Sequence, residues 1–263
     1  MMFLVIGIIL ATFELAHAQP FTCTELVGFS QTGSWSSTPA FTSQIPDGAW
    51  QTRIQSGGNI DVWKNRTEPG WFVAPGSPCT AFSTTPDRVV LTITRLVYDN
   101  SVASWVQGIR DTIATIRWRH PQVREIVLQP VVGGPNHAIC PHPDDPFRGV
   151  RAAYNHPFID LAIAEVVRLE PGVSAGPSPE VLACNRYRDR AGHLTPSGAT
   201  EVGADIGAFY NGGGAGSTTT TVPGPTTTST TVPCKLFGQN CAVIPCCAGQ
   251  GTCQQKPWGW RCL

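Results

Sequence analysis

The sequence is poor in charge. Only 14% of its 263 residues are Asp, Glu, Lys or Arg, against roughly 25% in an ordinary soluble domain. The 18 basic and 18 acidic side chains leave a formal net charge of zero. That balance excludes a dominant basic surface, so nucleic acid is not an expected partner. It equally excludes an acidic, disordered solubiliser. Long hydrophobic runs are also missing. The apolar stretch at residues 3–12 is too short to span a bilayer, and no other stretch approaches that length. No membrane span is therefore expected in the mature protein.

Cysteine, glycine and proline are plentiful, at 10, 27 and 23 residues. The apolar run at residues 3–12 is followed by Ala16-His17-Ala18, small residues suited to signal-peptidase cleavage. Residues 1–18 are read as a signal peptide and the mature protein as secreted and extracellular. An even cysteine count suits an oxidising compartment. Asn65-Arg66-Thr67 is an N-glycosylation acceptor sequence. Residues 211–233 hold no charged side chain and are dominated by Thr, Pro and Gly. Such a segment cannot bury enough apolar surface to offset its ordering entropy, and reads as an extended spacer. It separates a body, residues 19–210, from a tail, residues 234–263. The tail carries Lys235, Lys256 and Arg261 and no acid, so the rest of the chain is net acidic.

The body alternates strand-like and helix-like runs. Residues 25–29 form a short apolar run, and residues 88–93 a nearly continuous β-branched one, as in a strand buried on both faces. Residues 102–118 place Trp105, Ile109, Ile113 and Ile116 near helical spacing. Asp99, Asn100 and Ser101 are available as N-caps, with Pro121 as the stop. Residues 123–131 read as another buried strand; 157–169 and 197–210 read as helices. Strands alternating with helices predict an α/β fold with a parallel sheet covered on both faces. Chemistry in such a sheet gathers on the loops leaving the C-terminal strand ends.

Three loops then carry the chemically useful residues. Gly28-Phe29-Ser30 follows the first strand and offers a serine held for nucleophilic attack. Gly57-Gly58-Asn59 offers close backbone approach to a ligand. Gly192-His193-Leu194-Thr195-Pro196-Ser197-Gly198-Ala199 opens the last helix and offers a histidine as base for Ser30. Each residue alone is most simply structural; their order and loop positions favour catalysis. In that order they resemble the SGNH hydrolases, the GDSL-type esterase superfamily, over about residues 24–210. Ile126-Val127-Leu128-Gln129-Pro130 resembles the strand after that family's crossover helix.

The resemblance implies a three-layer α/β/α sandwich and ester hydrolysis through an acyl-serine. Ser30 would be the nucleophile and His193 the base. The backbone N–H groups of Ser30 and Gly58 would help form the oxyanion hole, with an asparagine as a further donor. Phe29 stands where the family usually has aspartate. Arg190 stands where it has the triad acid, so Asp189, four residues before the histidine, is the residue expected to orient it. The alternative is a Ser–His dyad oriented by a backbone carbonyl. The family's Gly-x-Asn-Asp signature is absent, which leaves Asn136, in a glycine-rich loop, and Asn100 as oxyanion asparagines.

His137, Cys140, His142, Asp144 and Asp145 fall close together but sit in a Pro-rich stretch that reads as a loop, so neither metal nor cofactor is expected. Cys23–Cys79 and Cys140–Cys184 are the pairings expected in the body. The tail holds Cys234, Cys241, Cys246, Cys247, Cys253 and Cys262. So small a module needs covalent staples in place of a core. Six cysteines formally leave the connectivity open. The adjacent pair resembles knottins, which implies Cys234–Cys247, Cys241–Cys253 and Cys246–Cys262. The end of the tail also resembles fungal-type cellulose-binding modules, in which Phe237, Trp258 and Trp260 would stack on sugar rings. The expected function is that of a secreted serine esterase acting on an ester substrate such as an acylated polysaccharide, held to polysaccharide or a cell surface by its tail. The alternative is a non-catalytic secreted binding protein, with a degenerate hydrolase body and a knottin, lectin-like or toxin-like tail.

Overall fold

The computed structural model describes residues 20–95, 101–132, 159–179, 183–189 and 192–211, together with the backbone of two short tail strands. The chain divides into two compact units, residues 1–218 and 219–263.

The first unit is built on a parallel sheet of 5 strands. These are β1 Thr24–Gly28, β2 Trp50–Ile54, β3 Arg88–Ile93, β4 Glu125–Pro130 and β5 Val173–Ala175. Their order is β2-β1-β3-β4-β5, and every neighbouring pair is parallel. The helices are α1 Ser30–Ser36, α2 Pro39–Thr42, α3 Ile60–Trp63, α4 Val102–Arg119, α5 Ile159–Leu169 and α6 Pro196–Asn211.

Strand alternation sorts these helices into two layers. Val27, Val89, Leu91, Ile126 and Leu128 point to one face. They pack there with Ile109, Ile113 and Ile116 of α4 and Ile159 and Val166 of α5. Their neighbours Leu26, Val90 and Val127 point the other way, onto Trp35 of α1, Phe41 of α2 and Val202 and Ile206 of α6. Two apolar clusters on opposite faces of one sheet make a three-layer α/β/α sandwich, as expected. Each fully buried aliphatic side chain contributes about 1.5–3 kcal/mol.

The predicted boundaries of β3 match. The α4 helix starts at Val102, with Ser101 Oγ accepting the Ser104 N–H at 3.2 Å, and runs one residue past Trp118. Two strands escaped the sequence reading. The β2 strand turns Gln51 and Arg53 into the protein where a pattern search expects apolar residues. The β5 strand is only 3 residues long.

Gln51 and Arg53 are inward because Glu25 of β1 is buried beside them. Its carboxylate accepts from Gln51 at 3.1 Å and from Arg53 at 3.0 Å, and meets His120 at 2.8 Å. Arg53 also donates to the carbonyls of Gly70 and Val73. The Cys23–Cys79 disulfide forms as expected and closes a separation of 56 residues at the start of β1. A loop of that length is worth about 4 kcal/mol in the chain-entropy account. The Cys140–Cys184 expectation lies outside the described side chains.

In the second unit, β6 Cys253–Lys256 and β7 Gly259–Cys262 form an antiparallel pair, with Cys253 opposite Cys262. The side chains of Phe237, Trp258, Trp260 and the tail cysteines Cys234, Cys241, Cys246, Cys247, Cys253 and Cys262 lie outside the described residues. Among the described residues, no helix is long and apolar enough to cross a membrane.

Candidate active site

The strand order places the site. From β1 the chain moves outward to β2, then crosses back to β3 on the other side of β1. At such a reversal of strand order a parallel sheet ordinarily takes its ligand, beyond the C-terminal ends of the strands. Ser30 is two residues beyond the end of β1 and is the first residue of α1. A residue at that position has an N–H that its own helix does not use.

The turn that presents Ser30 is tightly built. The Phe29 N–H donates to Thr32 Oγ1 at 3.3 Å, and Thr32 Oγ1 is bonded to Thr92 Oγ1 of β3 at 3.0 Å. A Cβ on Gly28 would lie 2.4 Å from Thr32 Oγ1, so only glycine fits there. Phe29, where the resemblance leads one to expect aspartate, is 1% exposed and packs in the core under α3 and α4.

His193 arrives from the opposite end of the chain, on the loop before α6. Gly192 precedes it with φ of +83°, a left-handed conformation suited to glycine. An antiparallel bridge between Tyr187 and Leu194 closes the loop base, and the Arg188 N–H donates to the His193 carbonyl at 2.7 Å. Ser30 Oγ and His193 Nε2 are 2.7 Å apart. His193 Nδ1 is 2.8 Å from Asp189 Oδ2, and the His193 N–H donates to Asp189 Oδ1 at 3.2 Å.

The proton positions follow from the partners. An ionised carboxylate has no proton to give, so Nδ1–H donates to Asp189. Nε2 is then left to accept from the Ser30 hydroxyl. Burial pushes the Asp189 carboxyl up, but the His193 ring and backbone N–H bonds, with the charges of His193 and Arg188, outweigh it. The carboxyl is held below its ordinary value. Ser30 and His193 are half-buried, neither sealed from a substrate nor fully in solvent.

The sequence of this chain matches no family model, and no curated protein shows significant similarity to it. Solved structures do align. One is a family two carbohydrate esterase from Clostridium thermocellum in complex with cellohexaose. It matches with a TM-score of 0.46 and 13% identity, over 76% of this chain and 67% of that one.

The structure brings Ser30, His193 and Asp189 together. It does not keep Gly58 available as drawn from the sequence. The Gly58 N–H already donates to the Gln55 carbonyl at 3.0 Å, so the expectation of an open oxyanion donor there is corrected. Glycine is required for another reason: a Cβ would sit 2.8 Å from the Gly28 carbonyl and 2.9 Å from Trp63 Nε1. Asn59 caps α3, its Oδ1 accepting the Asp61 N–H at 2.8 Å. Asp61, in the first turn of α3, pairs with Arg95 at 3.0 Å and Lys64 at 2.8 Å. Asn100, Asn136 and the cluster at residues 137–145 lie outside the described residues.

Gln31 is the residue that sequence reasoning missed. It follows Ser30, is 1% exposed, and bonds to both the His193 loop and the end of β4. Its only signal in the sequence is its place beside the serine.

Proposed function

We propose that this chain is a secreted serine esterase that hydrolyses carboxylic esters through an acyl-serine intermediate. The observation that carries the proposal is the unbroken Ser30–His193–Asp189 chain of contacts at 2.7 and 2.8 Å. Ser30 follows the C-terminal end of β1, the side on which a parallel sheet ordinarily takes its ligand.

In this reading Ser30 Oγ attacks the ester carbonyl carbon while His193 Nε2 takes its proton. The tetrahedral intermediate places its negative charge on the former carbonyl oxygen. The Ser30 N–H at the start of α1 is the donor aimed there, assisted by Asn100 or Asn136. One such donor is typically worth about 3–4 kcal/mol. Collapse breaks the bond to the alcohol oxygen, which leaves with the proton held by His193. Water then attacks the acyl-serine carbonyl as His193 removes its proton. The acid leaves and Ser30 regains its hydrogen. Asp189 keeps the imidazole in the productive tautomer and stabilises the imidazolium formed at each stage.

The substrate class is an acylated polysaccharide. Support comes from the uncharged Thr/Pro spacer at residues 211–233 and the tail with Trp258 and Trp260, an arrangement that suits tethering a hydrolase to an insoluble polymer. Secretion rests on residues 1–18 and on the Cys23–Cys79 bond, which belongs to an oxidising compartment.

The test is hydrolysis of p-nitrophenyl acetate, and acid release from acetylated xylan, by wild type and Ser30→Ala. A loss of at least about 1,000-fold in kcat is expected for the variant, with fluorophosphonate labelling of wild type at Ser30 alone. Equal rates for the two proteins would overturn the catalytic assignment. They would leave the non-catalytic binding protein as the better reading.

A further inference from the structure

Gln31 occupies the second position of α1, next to Ser30, and its carboxamide is buried among backbone groups. Nε2 donates to the Gly192 carbonyl at 2.8 Å and to the Val132 carbonyl at 3.2 Å. Oε1 accepts the Val132 N–H at 3.0 Å. These bonds span 161 and 101 residues of sequence. One side chain therefore joins the helix of Ser30, the loop of His193 and the segment leaving β4.

Only a carboxamide fits these partners. Two carbonyls require donors and one N–H requires an acceptor. Glutamate would set its charge against both carbonyls, and an apolar residue would leave all three groups unpaired in the interior. Gly192 is the residue immediately before His193, and its left-handed φ of +83° leaves the loop in a conformation that must be held by contacts. The Gln31–Gly192 bond reaches from the residue after the nucleophile to the residue before the base. The Ser30–His193 contact joins the same helix to the same loop. Val132 is in turn anchored through its neighbour, since the Val131 N–H donates to the Ile93 carbonyl of β3 at 3.2 Å.

We propose that Gln31 is a positioning residue of this active site, clamping the His193 loop and the end of β4 onto the nucleophile helix so that Nε2 is held within reach of Ser30 Oγ. The proposal rests on the esterase reading above. Gln31 touches neither the reacting atoms nor the substrate in this role; it acts through His193. A base displaced by about 1 Å commonly costs on the order of 100-fold in rate.

The experiment compares wild type with Gln31→Met, which keeps the side-chain volume, and Gln31→Glu, which keeps the shape. Activity on p-nitrophenyl acetate is expressed per active site, counted by fluorophosphonate labelling. Both variants are expected to lose at least tenfold in kcat with KM within about twofold. For Gln31→Glu the deficit relative to wild type at the same pH should shrink as pH falls, because a protonated carboxyl can again donate as well as accept. In a His193→Ala background, where Ser30 is no longer activated for labelling and activity is expressed per mole of folded protein, Gln31→Met should cost less than threefold, since the group it positions is gone. Wild-type kcat per active site in either folded variant would overturn the proposal. So would an equal loss with and without His193. If Gln31→Met melts below the assay temperature, the pH-dependent recovery of Gln31→Glu decides: no recovery counts against the clamp. Failure of the esterase reading is separate, because Ser30→Ala would then keep its activity.

Discussion

His193 can accept the Ser30 proton only in the tautomer with a bare Nε2, and the Asp189 carboxylate at 2.8 Å from Nδ1 imposes that tautomer. Asp189→Asn replaces an obligatory acceptor with a side chain that can donate to Nδ1. The wrong tautomer should lower kcat by roughly 100- to 10,000-fold with little change in KM, as read on p-nitrophenyl acetate. An unchanged kcat would favour a dyad oriented by a backbone carbonyl. The sign of the pH effect is set by the lowered carboxyl. Its contribution is complete above the ordinary aspartate value and disappears only as pH falls through the lower value of the folded state. Asp189 therefore takes up its proton at a lower pH than a free aspartate does. The three residues of this relay were legible only together: each alone is most simply structural, and it was their order along the chain, with its resemblance to the SGNH hydrolases, that singled them out. Gln31 was not legible, since a glutamine in a helix usually faces solvent. Gly58 was misassigned because the sequence shows a glycine but not that the Gln55 carbonyl takes its N–H.

The turn from β1 into α1 is the element on which the site depends, and its tolerance is narrow. In Gly28→Ala the new Cβ would lie 2.4 Å from Thr32 Oγ1 and 2.7 Å from Thr32 Cβ. Both atoms belong to a short side chain held against Thr92, so the helix must shift. An overpacked site of this kind typically costs about 1–3 kcal/mol, or a Tm lower by roughly 2–12 °C for a domain of this size. Because Ser30 rides on the displaced helix, kcat should fall as well. Thermal melting and ester hydrolysis on the same preparation check both parts, and a Gly28→Ala protein with wild-type Tm would contradict the tight turn. The elements that could be read beforehand were those with a clear apolar pattern: β1, β3, β4, α4, α5 and α6. Those that could not were short or polar. The α1, α2 and α3 helices have 7, 4 and 4 residues, too few to display a period. The β2 strand hides behind Gln51 and Arg53, whose burial makes sense only once Glu25 is seen beside them.

Acid stability belongs to the first unit as a whole, because carboxylates on several elements work in opposite directions. Burial pushes Glu25 up, but hydrogen bonds and charges from His120 and Arg53 more than offset it and leave its carboxyl low. Burial also raises Asp87, and the Cys23 and Thr22 N–H groups with Arg124 more than reverse it. Glu170 is lowered by bonds from Arg110 and Arg117, which fasten α4 to the end of α5. Each of these groups stabilises the fold above its unfolded value and ceases to do so as pH falls through its folded value. Glu125 is the exception. Burial raises it more than Ser174, Arg88 and Arg124 lower it, and its Oε2 is a buried acceptor without a hydrogen-bond partner. A raised carboxyl destabilises the fold at neutral pH, and that penalty is relieved as acid protonates it. Two variants separate the contributions. Glu25→Gln leaves Arg53 and His120 facing a neutral group, which for a broken buried pair costs about 3–5 kcal/mol, on the order of 10 °C in Tm. Its melting temperature should also depend less steeply on acid than that of wild type. Glu125→Gln should melt higher than wild type at pH 7, and the advantage should vanish as the pH falls towards about 4, where the glutamate itself becomes neutral. Melting curves at intervals across that range decide the matter. An advantage that persists undiminished in acid would mean that packing, and not ionisation, is what Glu125 costs the fold.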